Sequence, residues 1–519
     1  MATTTIDTID STFDLIVIGG GITGAGILRE AVRAGLKTLL LEKNDFAWGT
    51  SSRSSKLVHG GLRYLKEGKI GLMTESIRER ERMLAEAPYF VDPVFFLFPL
   101  YQGKSPGRAA LEIGLSIYDL VALKKRHTFL NPQQFMKHEP KINPDRFQGG
   151  FRFMDAQVDD ARLVLRVIFD AEEAGGTALN YTAVEEIVRN RARAVTGVLC
   201  ADSESGTRRE IFARAVINAT GSWAEQLHPS PKKGLHLRPL RGSHLFFSKE
   251  TLPVSQAISF NHPSDNRPVF IIPWEGATLV GTTDLDHDGD LSQEPAISKK
   301  EAAYLLAAVS TIFPALSLTE KSCLSTMAGI RPVLSEGKKA PSKESREHVV
   351  WVDKGLVTIT GGKLTTFRKL AWDALSAAKP FLAGKSLSGC GERVFEPLKN
   401  GADLDLISDP FFRNRIAGRY GNKAALLVEE APKEDLTPIP GSLSLWAELS
   451  HGARRERIRH LSDLLLRRVR AGLLLPEGGK IHLDRIREVV SPHLPWDNTR
   501  WEKEFSLYLK TIHDSYSIP

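Results

Sequence analysis

The chain is predicted to be an α/β protein that opens on a dinucleotide-binding βαβ unit, and three features of residues 13–42 predict it. Leu15 to Ile18 form a short apolar, β-branched run of the kind buried on both faces of a parallel sheet, and glycines break it abruptly. Gly19, Gly21 and Gly24 fit G-x-G-x-x-G, which supplies a tight turn, close backbone approach to a pyrophosphate and close helix–strand packing; Gly26 adds a fourth small position. A second apolar run, Lys37 to Leu41, ends in Glu42, placed where a carboxylate accepts hydrogen bonds from a ribose without a 2′-phosphate.

Between the two strands, residues 22–34 are helical in pattern, with Ile27, Ala31 and Ala34 on one face, Arg29, Glu30 and Arg33 on the other, and Gly35 as a stop. The free N–H groups and positive dipole end of that helix suit a dianionic pyrophosphate. This unit alone does not choose between FAD and NAD.

With 519 residues the chain is long enough for two or three domains, and its 42% hydrophobic and 25% charged content is ordinary for a globular protein. Cys200, Cys323 and Cys390 show no C-x-x-C spacing, so no disulfide framework or metal site is indicated, and a reducing cytoplasmic compartment fits. Residues 1–11 are polar and acidic, read as a disordered lead-in rather than a secretory signal. No apolar run reaches membrane-spanning length, so any membrane contact is expected to be peripheral. The net charge of +7 favours anionic partners. Without RNP-like aromatics or zinc-finger spacing, nucleic acid ranks last among them.

Residues 47–65 are rich in Ser and Gly and too long for a simple turn, so they are read as a binding loop. Thr50, Ser51, Ser52, Ser54 and Ser55 offer hydroxyls for phosphate oxygens, and Lys56, His59, Arg63 and Tyr64 bring charge and proton chemistry. An exposed amphipathic helix is expected over 72–87 and a strand of a second sheet over 89–101. Residues 107–127 read as an apolar helix ending in Lys124, Lys125, Arg126 and His127, suited either to an anionic bilayer or to ordinary core packing with a charged end.

A helix over 158–175 follows, then a buried strand over 211–219 that leads through NATGSW back to the first sheet. Further strands are expected within 237–247, 268–283 and 348–360, and a linker over 386–401. Residues 409–517 are helical in pattern. There Ile458, Leu461, Leu464, Leu465 and Val469 form a stripe opposite Arg454, Arg455, Arg457, Arg467, Arg468 and Arg470, read as a helix packed on the main body.

Taken together, DLIVIGGGITGAG, TSSRSSKLVHGGLRYL, VDDARLVL, NATGSWA, RGSHLFF, PWEGATLVGTTD, GIRPVL, GGKLTTFRKLA and LSDLLLRRVRAG resemble the bacterial FAD-dependent (aerobic, respiratory) glycerol-3-phosphate dehydrogenase family along nearly the whole chain. The resemblance implies a glutathione-reductase-type FAD-binding Rossmann domain, a mixed-β substrate domain and a helical C-terminal domain. It divides the chain into residues 11–90, 145–235 and 330–385 for FAD, 91–144 and 236–329 for substrate, and 390–519 for the helical domain. FAD is expected to be held without a covalent tether.

Oxidation of a secondary alcohol by a flavin requires a proton acceptor and cations for the substrate phosphate. Arg331 in GIRPV and Arg63 in GGLRY are the phosphate candidates, because a guanidinium fork binds two oxygens and keeps its charge, with Tyr64 assisting. Lys363 follows Gly361 and Gly362, whose missing side chains are read as permitting backbone approach to the isoalloxazine; by the resemblance this turn lines the flavin, with Thr365 and Thr366 bonding its polar edge. His59 and His244 are unranked candidates for the base.

The expected reaction is oxidation of sn-glycerol 3-phosphate to dihydroxyacetone phosphate, with electrons passed to a membrane quinone at an anionic lipid surface on the inner face of the cell membrane. An oxidase using O2 is the alternative, and a homodimer is left open.

Overall fold

The computed structural model describes residues 5–66, 68–104, 106–229, 236–335, 347–387, 393–397 and 404–519, without the side chains of Arg63 and Lys66. Its first sheet is built around β1 (Thr12–Ile18), which pairs in parallel with β2 (Thr38–Leu41) on one side and with Arg208–Asn218 on the other. Thr177–Leu179 extends it beyond β2, and Leu356–Thr360 joins Arg208–Asn218, also in parallel. Between β1 and β2 runs α1 (Ile22–Arg33), which with helices Asp160–Glu173 and Phe367–Ala378 covers one face. The other face packs beneath the antiparallel pair Thr182–Arg189 and Val195–Asp202. Burial on both sides explains why Ile16, Val17 and Leu39 to Leu41 are apolar without alternation.

The second sheet is mixed. From one edge its strands are Leu285–Asp286, His236–Ser248, Ala277–Gly281, Pro268–Trp274, Ala257–Asn261, Asp92–Tyr101, Phe147–Gln157 and Thr128–Leu130, and Ser325–Ser335 pairs with His236–Ser248. Alternate residues serve opposite cores, as strand geometry requires. Phe96 and Phe246 face the C-terminal helices together with Leu464, Leu465 and Trp501. Leu97 and Leu245 face helix Lys299–Ile312 through Ala302, Leu305 and Val309.

Several expectations are corrected here. Phe147–Gln157 and Ser325–Ser335 belong to the second sheet, although the expected division placed 145–157 and 330–335 with the FAD domain; their full ladders with Asp92–Tyr101 and His236–Ser248 fix them there. Residues 5–11 are not a loose lead-in: Ile6 and Ile9 are buried beside Phe13, and the Arg209 guanidinium donates to the Ile6 and Ile9 carbonyls at 2.6 and 2.8 Å. Each such burial stabilises by about 1.5–3 kcal/mol. Within the expected linker, Val394 and Phe395 are buried in the first core, and Cys390 with the rest of 388–392 and 398–401 lies outside the described residues.

The arginine-rich stretch packs its apolar stripe on the main body as expected, but not as one helix with its arginines opposite the core. It divides into Trp446–Arg455, Leu461–Asp463 and a π-turn Leu464–Arg468, with Arg467, Arg468 and Arg470 all buried. Helix Ile70–Glu86 likewise turns Ser76 and Arg80 inward with Met73, Ile77 and Met83.

Candidate active site

Three parallel strands end side by side, with Ile18 level with Leu41 and Asn218, and Asn218 level with Thr358. Ligands in open α/β sheets bind at the carboxyl ends of strands. Here the chain leaves those ends through Gly19 to Gly21, Ala219 to Gly221 and Gly361 to Gly362, and all three turns line one cavity of about 400 Å³.

The glycine turn has physical reasons at each end. Gly19 sits at φ +110°, and a Cβ there would lie 2.7 Å from the Ala219 carbonyl oxygen; a Cβ on Gly24 would lie 1.9 Å from that of Gly19. No side chain therefore fits between β1 and α1. The N-terminus of α1 faces this turn, and the Ile22 N–H donates to Ser51 Oγ at 3.0 Å. Glu42 closes β2 with its carboxylate oriented by the N–H groups of Gly20 (2.7 Å) and Asn44 (2.8 Å), and burial raises its pKa. A side-chain-free turn, a helix N-terminus and an oriented carboxylate on one wall are a donor set that fits the pyrophosphate and ribose of a dinucleotide.

Gly361 and Gly362 have a different reason from the one expected. Both have positive φ, +84° and +79°, and a Cβ would meet the Glu347 carbonyl oxygen at 2.6 Å or Leu370 Cδ2 at 2.5 Å. Protein, not the cavity, excludes their side chains.

Lys363 lies on the wall, its Nζ donating to Ser76 Oγ at 2.7 Å and resting 3.7 Å from the Tyr64 ring centroid. Tyr64 is itself a wall residue. Arg331 comes from the second sheet, its Nη1 donating to Asp284 Oδ1 and its Nη2 to Thr282 Oγ1, both at 2.9 Å. Thr50, Ser51, His59 and Thr365 also line the cavity, and Thr365 Oγ1 donates to the His59 carbonyl at 3.3 Å, tying the 361–366 turn to the 47–65 loop.

Other expected residues stand behind the wall. His244 is 1% exposed and stands behind Ser55, whose Oγ lies 2.9 Å from its Nε2; burial first, then Arg331 and Lys56, holds its pKa well below the usual histidine value. Ser52 and Thr366 are buried, the latter at the start of helix Phe367–Ala378. Lys56 is no surface cation either: its Nζ donates to Asp160 Oδ1 and to the Ser52 carbonyl, both at 2.7 Å. The Arg63 side chain lies outside the described residues.

Sequence reasoning missed several wall residues, namely Trp48, Trp223, Phe270 and Thr282. Trp48 and Trp223 approach within 6.1 Å between centroids; Trp223 falls inside NATGSWA and Trp48 just before TSSRSSKLVHGGLRYL, so an aromatic beside a glycine or serine turn was the available signal.

Comparison with known proteins agrees with this geometry. The family model described as FAD dependent oxidoreductase matches residues 14–368, and one described as the C-terminal domain of alpha-glycerophosphate oxidase matches 407–501. The aerobic glycerol-3-phosphate dehydrogenase of Bacillus subtilis is 33% identical, over 98% of this chain and 96% of its own. That of Staphylococcus aureus is 34% identical, over 88% and 86%. The crystal structure of the glycerol-3-phosphate dehydrogenase from Bacillus halodurans complexed with FAD superposes with a TM-score of 0.75 at 29% identity, over 98% and 96% of the two chains. The L-alpha-glycerophosphate oxidase of Mycoplasma pneumoniae, at 21% identity and a TM-score of 0.57 over 71% of this chain and 95% of its own, shares the fold.

Proposed function

The chain belongs to the FAD-dependent glycerol-3-phosphate dehydrogenase family, with FAD as its cofactor, and we propose that it oxidises sn-glycerol 3-phosphate at C2 to dihydroxyacetone phosphate. The observation that carries this reading is one cavity whose wall joins the dinucleotide-binding turns to Arg331 and Lys363. Bound FAD supplies the acceptor for the C2 hydride and its two electrons. The protein must then hold the phosphate, orient C2 and take the hydroxyl proton.

Arg331, braced by Asp284 and Thr282, binds the phosphate with Arg63 as second cation, and Tyr64 lends a hydroxyl. Lys363, fixed by Ser76, sets a positive charge beside the hydroxyl oxygen as its proton leaves. His59 is the proton acceptor in this reading, because it belongs to the wall, whereas His244 stands behind Ser55. Glu42, Thr50, Ser51 and Thr365 hold the cofactor.

The electrons pass next to a membrane quinone. Among the described residues no helix is long and apolar enough to cross a membrane. Helix Arg108–Ala122 instead exposes Ile113 (63%), Leu120 (72%) and, just past its end, Leu123 (87%), beside Lys124 and Lys125. An apolar face with a cationic end suits the headgroup region of an anionic leaflet at the inner face of the cell membrane.

Anaerobic mixing with a panel of alcohols tests the proposal. Glycerol 3-phosphate is expected to bleach the flavin absorbance, with glycerol and unphosphorylated diols ineffective. Equal bleaching by unphosphorylated alcohols would remove the assigned role of Arg331. Rapid reoxidation by dissolved oxygen with release of peroxide would replace the quinone by O2.

A further inference from the structure

Among the described residues, no member of the C-terminal helical region reaches the cavity wall, yet three of its arginines end on the loop that forms part of that wall. Arg467 Nε meets Asp45 Oδ2 at 2.5 Å, and Arg468 binds both oxygens of the same carboxylate, with Nη2 at 2.9 Å from Oδ1. Arg470 Nη2 donates to the Ser52 carbonyl at 2.7 Å, the oxygen that Lys56 Nζ also uses. Asp45 and Ser52 do not line the cavity, but Asn44, Trp48, Gly49, Thr50, Ser51 and Arg53 do. The held points therefore bracket a stretch of wall.

The local backbone is shaped for this grip. Residues Leu464–Arg468 form a π-turn closed by the Val469 N–H on the Leu464 carbonyl at 2.9 Å, and two successive arginines converge on one carboxylate. Neighbouring residues of an ordinary α-helix do not share a face, and π-turns recur at functional sites. Apolar side chains of similar volume would dock the two regions as well as or better than buried ion pairs, so stability alone does not call for these arginines.

We propose that Arg467, Arg468 and Arg470 are positioning residues for FAD: by fixing Asp45 and the Ser52 carbonyl, they keep residues 44–53 in the shape that retains the cofactor. The helical region is then a latch on the FAD site. This rests on the cofactor and not on the assigned substrate, so failure of the substrate reading leaves the flavin-release result intact.

The full-length holoenzyme tests it through the rate of FAD release, followed as flavin fluorescence on dilution, alongside the melting temperature of the apoprotein. Arg470→Lys keeps the charge and loses the guanidinium fork; Asp45→Asn keeps the shape and loses the charge. Each is expected to speed FAD release at least tenfold, with full kcat at saturating FAD and an unchanged KM for glycerol 3-phosphate. Glu456→Gln, which weakens the same interface through Arg162 but keeps the backbone carbonyl that accepts from Arg468, is expected to lower the melting temperature and leave the release rate unchanged. Release at the parental rate in both loop variants overturns the proposal. Because coupling is reciprocal, FAD must also slow amide hydrogen exchange in residues 461–470 of the parent protein. If exchange there ignores FAD, the latch does not exist, whether or not any variant folds.

Discussion

Arg331, the proposed phosphate ligand, is held in place by its neighbours. Two of its nitrogens are occupied by Asp284 and Thr282, so the guanidinium is fixed in plane before substrate arrives. A charge-assisted contact of this kind contributes about 1.5–3 kcal/mol, which is roughly a 10- to 150-fold change in binding. Arg331→Ala is therefore expected to raise the KM for glycerol 3-phosphate by that factor while the purified protein keeps its flavin, since the residue belongs to the second sheet and not to the glycine turns. An unchanged KM would move the phosphate site elsewhere. The same residue shows what sequence made visible: Arg331 in GIRPV was readable as a candidate for the site, and it does line the cavity, but its brace Asp284, distant in sequence and fully buried, was not. Gly361 and Gly362 show the converse, since their presence was readable and the cause was not, because Glu347 and Leu370 meet them only in the folded chain.

Among the elements, those defined by short-range pattern were legible. The βαβ unit, helix Asp160–Glu173 and strand Arg208–Asn218 each follow from apolar periodicity and a nearby glycine or aspartate, and Asp159 caps its helix by accepting the Arg162 N–H at 3.2 Å. The apolar stripe of the arginine-rich stretch was legible and packs on the main body as read, but the burial of its arginines was not, because periodicity registers charge and not the carboxylates that later meet it: Asp45 lies more than four hundred residues away from Arg467 and Arg468. Helix Arg108–Ala122 is partly resolved between its two readings. Leu111, Leu115 and Tyr118 pack inward, while Ile113 and Leu120 face out, and Lys124 and Arg126 pair with Glu81. Replacing Lys124, Lys125 and Arg126 together by Glu reverses the charge of this surface. It should weaken sedimentation with anionic liposomes and quinone turnover but spare reduction of a soluble dye, and the parent's binding should fall with added salt. Equal sedimentation of the triple variant would take the membrane contact away from this helix.

For the molecule as a whole, the contact between the first sheet's helices and the C-terminal region is unusually ionic for a buried surface. Arg162 forms a two-pronged pair with Glu456, and Arg419 reaches Asp159 at 2.9 Å, all four side chains being buried. Such pairs add little over apolar packing while intact, but removing one partner costs about 3–5 kcal/mol because the other is left buried and uncompensated. Docking of the C-terminal region should therefore depend on acid. Burial pushes the Glu456 carboxyl up, and Arg162, helped by His451 and Arg468, more than offsets it, bringing the pKa from 4.5 down to about 2. A carboxylate depressed in the folded state binds fewer protons there than in the unfolded chain, so its contribution is complete above pH 4.5 and is lost as pH falls towards about 2. Asp159, also brought down to about 2 against its burial by Arg470 and Arg419, adds to the same loss. Urea unfolding of the parent and of Glu456→Gln, followed from pH 7 to about pH 2, isolates the Glu456 part. The variant should be less stable at neutral pH and the gap should close through the acid range, because the parent forfeits there the ion pair that the variant never had. A gap that stays constant with pH would mean that the Arg162–Glu456 pair does not hold the C-terminal region in place.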